Sequence, residues 1–205
     1  MTRIVAGAAR GRRLQVPDGD RTRPTSDRVR EALFSSLEST FGTLSGVSFL
    51  DVFAGTGAVG LEAASRGASC VTFVERDSSV AALISSNART LGLGNIDVVT
   101  AAASTWLRTS PVRLFDVAFL DPPYDVSAES LTPVVTALGA RGRLAPGAVV
   151  VIERSRRSGP WEWPGGFEAA RFRRYGDTVL WYGRFEPPRE ESSAAAPSEP
   201  YEEEV

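Results

Sequence analysis

Apolar residues are concentrated in five short runs through the middle of the chain. The runs occupy residues 47–53, 70–74, 96–101, 115–120 and 148–152. Between most of them, apolar positions recur at helical spacing, and this spacing predicts helices at about 58–66, 78–91 and 128–140. Continuous apolar strands separated by helices indicate a parallel sheet that is covered on both faces.

The pattern changes on either side of this region. Before it, a helix is predicted at about 26–41, where the sequence T-S-D at 25–27 offers N-caps and an apolar stripe marks one face. After it, residues 171–175 and 178–185 are separated by Gly-Asp. This arrangement is typical of a hairpin, which would add an antiparallel edge to the sheet.

These patterns divide the chain into three segments. Residues 1–24 alternate short apolar patches with Arg and Gly, which predicts a small basic β-hairpin extension that turns near residues 10–13. Residues 25–185 are expected to form one α/β domain, since a chain of 205 residues can bury a single large core. Residues 186–205 are rich in Pro, Ser, Ala and Glu, and we expect this acidic tail to be disordered.

The residue types that are missing narrow the possible chemistry. The chain has no histidine, and all 23 basic residues are arginine, so His-based triads and lysine Schiff bases are excluded. Cys70 is the only cysteine, and one cysteine cannot build a zinc or iron–sulfur site. Because Cys70 opens an apolar run, we expect an inert buried thiol. We expect no metal, and chemistry that relies on carboxylates, backbone groups, aromatic rings and a bound cofactor.

Charge is strongly segregated along the chain. Residues 1–30 hold eight Arg against three Asp, and residues 186–205 hold seven Glu against one Arg. The formal net charge of −2 therefore combines a positively charged segment 1–185 with an acidic segment 186–205, and this division affects which partners the protein can bind. The first residues lack the apolar stretch of a secretory signal, and no window approaches the roughly 18 to 20 apolar residues of a membrane span. A cytoplasmic location is expected.

The first apolar run leads into the glycine-rich sequence L-D-V-F-A-G-T-G-A-V-G at 50–60. Gly55, Gly57 and Gly60 have the G-x-G-x-x-G spacing of a dinucleotide-binding turn, and Glu75 follows Gly55 by twenty positions. Glycine permits positive φ and a close approach of a ligand to the backbone. The turn alone leaves open a dinucleotide enzyme, an enzyme of another adenosine-bearing cofactor, and a structural turn.

An acidic residue within this sequence, Asp51, gives the pattern D-x-F-x-G-x-G, which resembles motif I of the class I S-adenosylmethionine methyltransferases. The resemblance implies that Gly55 and Gly57 pass near the amino-acid part of the cofactor, whose ammonium end Asp51 helps to organise. Glu75 would accept hydrogen bonds from both ribose hydroxyls. The expected cofactor-binding residues are Asp51, Phe53, Gly55, Thr56, Gly57, Glu75, Arg76 and Ala102.

One segment departs from the superfamily pattern. Many class I methyltransferases have an acidic residue just after the third strand, where it holds the adenine amine, whereas this chain reads A-A-A-S at 101–104. Adenine is therefore expected to be held by backbone groups and apolar contact, or by Ser104.

The fourth apolar run ends in F-L-D-P-P-Y, and its last four residues resemble motif IV of methyltransferases that modify exocyclic amines of nucleobases. A Pro-Pro pair can also simply end a strand. However, the carboxyl ends of central parallel strands are where open α/β sheets bind ligands. Asp51 and Asp121 lie 70 residues apart, each near the end of a predicted strand, and the two motifs together are more specific than either one.

The chemistry of amine methylation explains these residue types. An exocyclic base amine is a poor nucleophile because its lone pair is delocalised into the ring. An acceptor aimed at its N–H groups favours a pyramidal nitrogen, and we expect Asp121 and the Pro122 carbonyl to supply it. Pro123 adds to the stiffness of the chain, and Tyr124 is expected to stack on the target base. Asp121, Pro122, Pro123 and Tyr124 are therefore the predicted catalytic residues.

Further blocks resemble one family within this superfamily. They are R-I-V-A-G-x-x-R-G-R-x-L from residue 3, R-P-T-S-D-R-V-R-E-A-L-F from residue 23, and R-x-Y-G-D-T-x-L ending at residue 180. With the two motifs, they closely resemble the RsmD family of bacterial 16S ribosomal RNA guanine-N2 methyltransferases over about residues 3–185. The resemblance implies a class I, Rossmann-like, doubly wound seven-stranded sheet with an antiparallel last strand. It also implies S-adenosylmethionine as cofactor and 16S rRNA in the 30S subunit or its assembly intermediate as partner, and we expect a monomer.

Arginines outside the two motifs are candidates for substrate contact. The N-terminal cluster suits phosphates, although a solvated charged hairpin explains it as well. Arg154 and Arg157 follow the fifth strand, at the edge expected for Asp121, and could contact RNA. The predicted substrate-binding residues are Arg10, Arg12, Arg28 and Arg156.

Two alternatives remain at the level of sequence. The D-P-P-Y sequence serves the N6 amine of adenine equally well, so an adenine methyltransferase on DNA or RNA is possible, although a DNA enzyme usually needs a separate recognition domain. A catalytically silent RNA-binding assembly factor is the other alternative. The intact glycine turn, Glu75 and D-P-P-Y argue against it.

Overall fold

The computed structural model of the chain describes residues 2–17, 26–109 and 113–187. The possible cap Thr25, residues 18–24 of the predicted extension and residues 188–205 of the predicted tail lie outside the described residues. The helices are α1 (Asp27–Phe41), α2 (Ala58–Ser65), α3 (Ser78–Leu91), α4 (Ala103–Thr109) and α5 (Ala128–Ala140). The strands are β1 (Ser48–Val52), β2 (Cys70–Glu75), β3 (Ile96–Thr100), β4 (Phe115–Leu120), β5 (Leu144–Ser155), β6 (Phe167–Tyr175) and β7 (Thr178–Phe185).

The seven strands form one sheet in the order β3-β2-β1-β4-β5-β7-β6. Strands β1 to β5 pair in parallel, and β7 pairs antiparallel with both β5 and β6. The predicted doubly wound, seven-stranded α/β fold is confirmed. The antiparallel last strand, β7, lies between β5 and β6, and β6 forms the edge of the sheet.

Side chains of each strand alternate between two apolar layers. Phe49 of β1 belongs to one buried cluster and Leu50 to the other, because successive side chains of a strand point to opposite faces. Helices α1, α2 and α3 supply Leu33, Leu61 and Ile84 to the first cluster, and α4 and α5 supply Trp106 and Leu131 to the second. Coverage of both faces explains why the central strands read as continuous apolar runs.

The N-terminal segment is a minimal hairpin. A single antiparallel bridge joins Arg3 to Arg13, and the Ile4 amide donates to the Arg12 carbonyl at 2.9 Å. The turn occupies residues 6–11, which is earlier than the predicted 10–13. Its apolar side chains, including Leu14, join the cluster formed with α1, α2 and α3. The boundaries of the three predicted segments remain a prediction.

A buried carboxylate fastens this hairpin to α2. Glu62 is fully buried, and its two oxygens accept hydrogen bonds from the amides of Val5 (2.7 Å) and Ala6 (2.8 Å). The side chain of Arg66 donates to the same carboxylate at 3.0 Å. At Gly7, an added Cβ would lie 1.9 Å from the Ser65 carbonyl oxygen, so only glycine allows this approach. The contact was not predicted from the sequence.

The cysteine prediction needs correction. Cys70 is a free thiol at the first position of β2, and it is only partly buried because the strand begins there at the rim of the sheet. Separately, none of the helices within the described ranges is long and apolar enough to cross a membrane.

Candidate active site

The sheet brings the two predicted motifs together. Val52, the last residue of β1, pairs with Val74 of β2 on one side and with Leu120 of β4 on the other. The Asp121 amide donates to the Val52 carbonyl at 3.4 Å. Residues that follow these strand positions therefore lie side by side at the carboxyl edge, where open α/β sheets bind ligands.

The glycine turn follows β1 directly and depends on left-handed backbone. Gly55 and Gly57 have φ of 52° and 73°, and Phe53, with φ of 62°, is the sole non-glycine residue with positive φ among the described residues. A Cβ at Gly55 would meet nothing closer than 3.9 Å, so the space above the turn is open to a ligand. Gly57 is the N-cap of α2, and a Cβ there would lie 2.9 Å from Cγ1 of Ile84, so this glycine lets the turn pack against α3.

The third glycine of the turn has a different purpose. A Cβ at Gly60 would lie 2.3 Å from Cε1 of the buried Phe73 ring. Gly60 therefore lets α2 pack closely against β2. This packing fixes the position of the turn relative to the sheet.

Glu75 stands at the end of β2, next to the glycine turn. Its Oε2 accepts a hydrogen bond from the Gly55 amide at 2.9 Å, and its Oε1 accepts one from the Asp77 amide, also at 2.9 Å. Asp77 is in turn the N-cap of α3. The half-buried Glu75 carboxylate is thus held in one orientation by two backbone donors.

Asp51 is buried beneath the turn. Its Oδ2 accepts a hydrogen bond from the Gly60 amide at 2.9 Å, and the residue is 3% exposed. Burial raises the pKa of Asp51 to about 8; the Gly60 hydrogen bond lowers this pKa, and the nearby Glu75 carboxylate raises it. The hydrogen bond between the Gly60 amide and the Asp51 carboxyl therefore ties the start of α2 to the end of β1 on the buried side of the glycine turn.

The D-P-P-Y sequence forms a tight turn at the end of β4. The Pro123 carbonyl accepts from the Val126 amide at 2.9 Å, and the Arg154 guanidinium donates to the Val126 carbonyl at 2.8 Å, which ties the turn to β5. Pro122 is buried, whereas the Tyr124 ring is 76% exposed and available to a partner. A shallow pocket opens at this turn. Its walls are Asp121, Pro122, Pro123, Tyr124, Glu153, Arg154, Ser155, Ser158 and Thr178.

Other predicted site residues lie near the same edge. Thr56 is buried within the turn, and Arg76 is exposed directly after Glu75. Ala102 is exposed where α4 begins, and its carbonyl accepts from the amides of Thr105 and Trp106. Arg156 is exposed in the short 3-10 turn Arg156–Ser158 after β5.

The predicted substrate arginines of the hairpin lie elsewhere. The Arg12 guanidinium donates to the Thr90 carbonyl at the end of α3, at 2.9 Å, and the turn that carries Arg10 packs on Ser65 at the end of α2. Because both helices run back toward the starts of the parallel strands, these arginines lie toward the edge opposite the pocket. Arg28 is exposed on the first turn of α1. The structure does not bring Arg10 and Arg12 to the D-P-P-Y pocket.

Within residues 2–17, 26–109 and 113–187, no group of three or more Cys, Asp or Glu side chains is arranged to hold a metal ion.

Comparisons with known proteins show the family to which the chain is similar. The family model described as Conserved hypothetical protein 95 matches residues 2–184. Ribosomal RNA small subunit methyltransferase D of Escherichia coli (strain K12) is 38% identical over 77% of this chain and 76% of its own length. The protein of the same name from Haemophilus influenzae is 36% identical over 75% and 79%. The solved structure of Escherichia coli yhhF has a TM-score of 0.79 at 35% identity, covering 90% of this chain and 97% of that one.

The strand order, the glycine turn after β1 and the D-P-P-Y turn after β4 together define a class I S-adenosylmethionine-dependent methyltransferase. The chain belongs to the ribosomal RNA small subunit methyltransferase D (RsmD) family.

Proposed function

We propose that this protein transfers a methyl group from S-adenosylmethionine to the exocyclic N2 amine of a guanine in 16S ribosomal RNA. One observation carries the proposal: β1 and β4 are neighbours, so the glycine turn and Asp121 lie side by side at one edge of the sheet. The relatives named ribosomal RNA small subunit methyltransferase D support RNA of the small ribosomal subunit as the substrate class.

The cofactor site fits an adenosine-bearing cation. The open space above Gly55 admits a ligand close to the backbone, and the Glu75 carboxylate retains acceptor capacity for ribose hydroxyls beside its two amide donors. Asp51 lies beneath the same turn, and an ammonium end bound there would favour the ionised form of this carboxyl over the protonated form that burial favours. Phe53, Thr56, Arg76 and Ala102 would complete the wall of this site. S-adenosylmethionine supplies an electrophilic methyl group.

The acceptor site fits a planar base that carries an amine. Tyr124 offers an exposed ring for stacking, and stacking of a base on an aromatic ring stabilises binding by about 1–3 kcal/mol. Asp121 and the Pro122 carbonyl accept from the amine N–H groups and favour the pyramidal nitrogen that attacks the methyl carbon. The buried Pro122 holds that carbonyl in place, so the rate gain comes from positioning and preorganised acceptors.

The wider context belongs to the same proposal. The substrate would be presented on the 30S subunit or its assembly intermediate, in the cytoplasm, to a monomer of this chain. Arg28 and Arg156 would contact RNA phosphates near the site, and Arg10 and Arg12 would contact more distant ones. Residues 1–24, 25–185 and 186–205 would act as extension, catalytic domain and acidic tail.

The test is methylation of 30S particles from cells that lack the enzyme, with labelled cofactor and mapping of the modified base. Asp121→Ala is expected to lower kcat by about 100-fold or more while the affinity for S-adenosylmethionine stays unchanged. Asp125→Ala, which removes an exposed carboxylate from the same turn, is the matched control and should keep full activity. Label on an adenine would support the adenine-N6 alternative. An active Asp121→Ala variant would overturn the role assigned to this carboxylate.

A further inference from the structure

The end of the β6–β7 hairpin that lies beside the pocket carries an uncovered surface of aromatic rings and arginine. Register across the sheet aligns Ile152 of β5, Trp181 of β7 and Phe172 of β6. The next row on the same face aligns Arg154, Val179 and Arg174. Arg154 and Thr178 line the pocket, so this surface continues the pocket along the edge of the sheet.

Three side chains of this surface are stacked on one another. The rings of Phe172 and Trp181 lie 5.0 Å apart at an interplanar angle of 36°, and the Arg174 guanidinium lies 5.2 Å from the Phe172 ring centre. Phe172 is 44% exposed, and Arg174 is exposed as well. Within the part of the chain that the structure describes, no carboxylate forms an ion pair with Arg174. We call Phe172, Arg174 and Trp181 the hairpin platform.

The chemistry of the hairpin platform matches a single strand of RNA. An aromatic face attracts the face of any base, and an unpaired guanidinium attracts phosphate or stacks on a base. Exposed charged side chains can protect an edge strand from pairing with another chain. An exposed Phe172 ring gives no such protection, so protection of the edge does not explain this surface. Tyr124 at the pocket adds another exposed ring to the same edge. Positive charge, exposed rings and continuity with the pocket together favour nucleic acid over a protein partner.

We propose that the hairpin platform binds the nucleotides that flank the target base, with one flanking base on Phe172 and a phosphate at Arg174. The inference rests on the proposed function for the target base in the pocket. The hairpin platform would be a second RNA contact site, on a different part of the sheet from the pocket. Binding there would hold the RNA strand across the edge while the target base enters beside Tyr124.

The experiment uses the full chain and two pairs of variants. Phe172→Ala removes the exposed ring, and Leu114→Ala, which removes an exposed apolar side chain before β4, is its matched control. Arg174→Ala removes the platform cation, and Arg184→Ala, at the far end of β7, is its control on the same hairpin. The dissociation constant for a fluorescent single-stranded oligoribonucleotide is measured by anisotropy over a range of salt, and methylation of 30S particles is measured in parallel.

Phe172→Ala is expected to weaken oligonucleotide binding by about tenfold. Arg174→Ala should reduce the slope of log affinity against log salt by about 0.7, which is the value for one phosphate of a single strand. Both variants should raise KM for the particle with little change in kcat. Both control variants should bind the oligonucleotide and methylate the particle as the wild type does. In every variant, S-adenosylmethionine should raise the melting temperature by the same amount as in the wild type.

The outcomes separate this inference from the proposed function. If the wild-type protein methylates the particle and the platform variants behave like their controls, the hairpin platform is refuted and the proposed function stands. If the platform variants weaken RNA binding but no preparation methylates the particle, the platform stands and the proposed function fails. If Phe172→Ala raises KM for the particle but leaves oligonucleotide binding unchanged, the platform does not bind a single RNA strand and the inference is wrong.

Discussion

The Gly55 amide donates a hydrogen bond to the Glu75 carboxylate at 2.9 Å and so joins the glycine turn to the end of the neighbouring strand. The other oxygen of Glu75 accepts from the Asp77 amide at the start of α3. One side chain therefore fixes the positions of the turn, the strand end and a helix end relative to one another. These two backbone hydrogen bonds hold the carboxylate beside the open space above Gly55, which the proposed cofactor would occupy.

We predict that Glu75→Gln weakens the affinity for S-adenosylmethionine by about tenfold or more. The amide loses the negative charge and one acceptor, and a hydrogen bond to a charged group contributes about 1.5–3 kcal/mol. Titration calorimetry measures the change. Glu168→Gln, on the exposed face of β6, is the control and should bind as the wild type does. Equal affinity of the Glu75→Gln variant and the wild type would show that Glu75 does not contact the cofactor.

The main elements of the fold could be predicted because the central strands are buried on both faces. The β4 limits, Phe115–Leu120, and the α3 limits, Ser78–Leu91, agree with the sequence pattern. Helix α4 was missed because its seven residues are too short to show helical periodicity. The meeting of the two motifs followed from a general property of parallel sheets, namely that their carboxyl ends share one edge.

Tertiary contacts that carry no local signal could not be predicted. Glu62 lies in the sequence L-E-A-A-S, which is typical of any helix, and only the structure shows that the hairpin places two amides on its carboxylate. The same docking takes Arg10 and Arg12 toward the opposite edge, although their charge suggested a place near the substrate pocket. The hairpin platform was missed because its members come from two strands and meet only in the sheet.

Asp51 gives a prediction about pH. Its pKa is about 8 in the folded protein and near the ordinary value of 3.8 in the unfolded chain. Between these values the folded state binds more protons, so the contribution of Asp51 to the free energy of unfolding falls as pH rises and is constant above about pH 8. Asp51→Asn has no such titration, because its amide does not ionise.

The expected result is a difference that depends on pH. Measured by urea unfolding at about pH 5, 7 and 9, the stability of Asp51→Asn relative to the wild type should rise across this range. Other carboxylates affect both proteins alike and cancel in the comparison. A difference that stays constant with pH would mean that Asp51 is ionised in the folded protein.

Gly60 gives a prediction about packing. Gly60→Ala would place a Cβ 2.3 Å from Cε1 of the buried Phe73 ring, so either α2 or the ring must shift. We expect a loss of about 1–3 kcal/mol in the free energy of unfolding, which exceeds the gain of about 1 kcal/mol in helix propensity. Gly94→Ala is the control, because nothing lies within 4 Å of its added Cβ. Phe73→Leu in the Gly60→Ala background should restore part of the stability, and a fully stable Gly60→Ala single variant would contradict the packing argument.

Buried charged side chains fasten the N-terminal hairpin to α1 and α2. Glu62 and Arg30 are both fully buried, and the Arg30 guanidinium also pairs with Asp27 at 2.9 Å. Glu62→Gln should lower the free energy of unfolding by about 3–5 kcal/mol, because it removes a fully buried carboxylate near Arg30, leaves Asp27 as the ion-pair partner of that guanidinium, and weakens the acceptor for two hairpin amides.

A double-mutant cycle with Arg30→Met distinguishes the two causes. If the lost pairing between Glu62 and Arg30 dominates, the double variant should regain a large part of the stability lost by Glu62→Gln. If the amide contacts dominate, it should regain none, and hydrogen exchange at Val5 and Ala6 should accelerate while exchange in β1 stays slow. A Glu62→Gln variant as stable as the wild type, with unchanged protection at these two amides, would show that apolar packing alone holds the hairpin on α2.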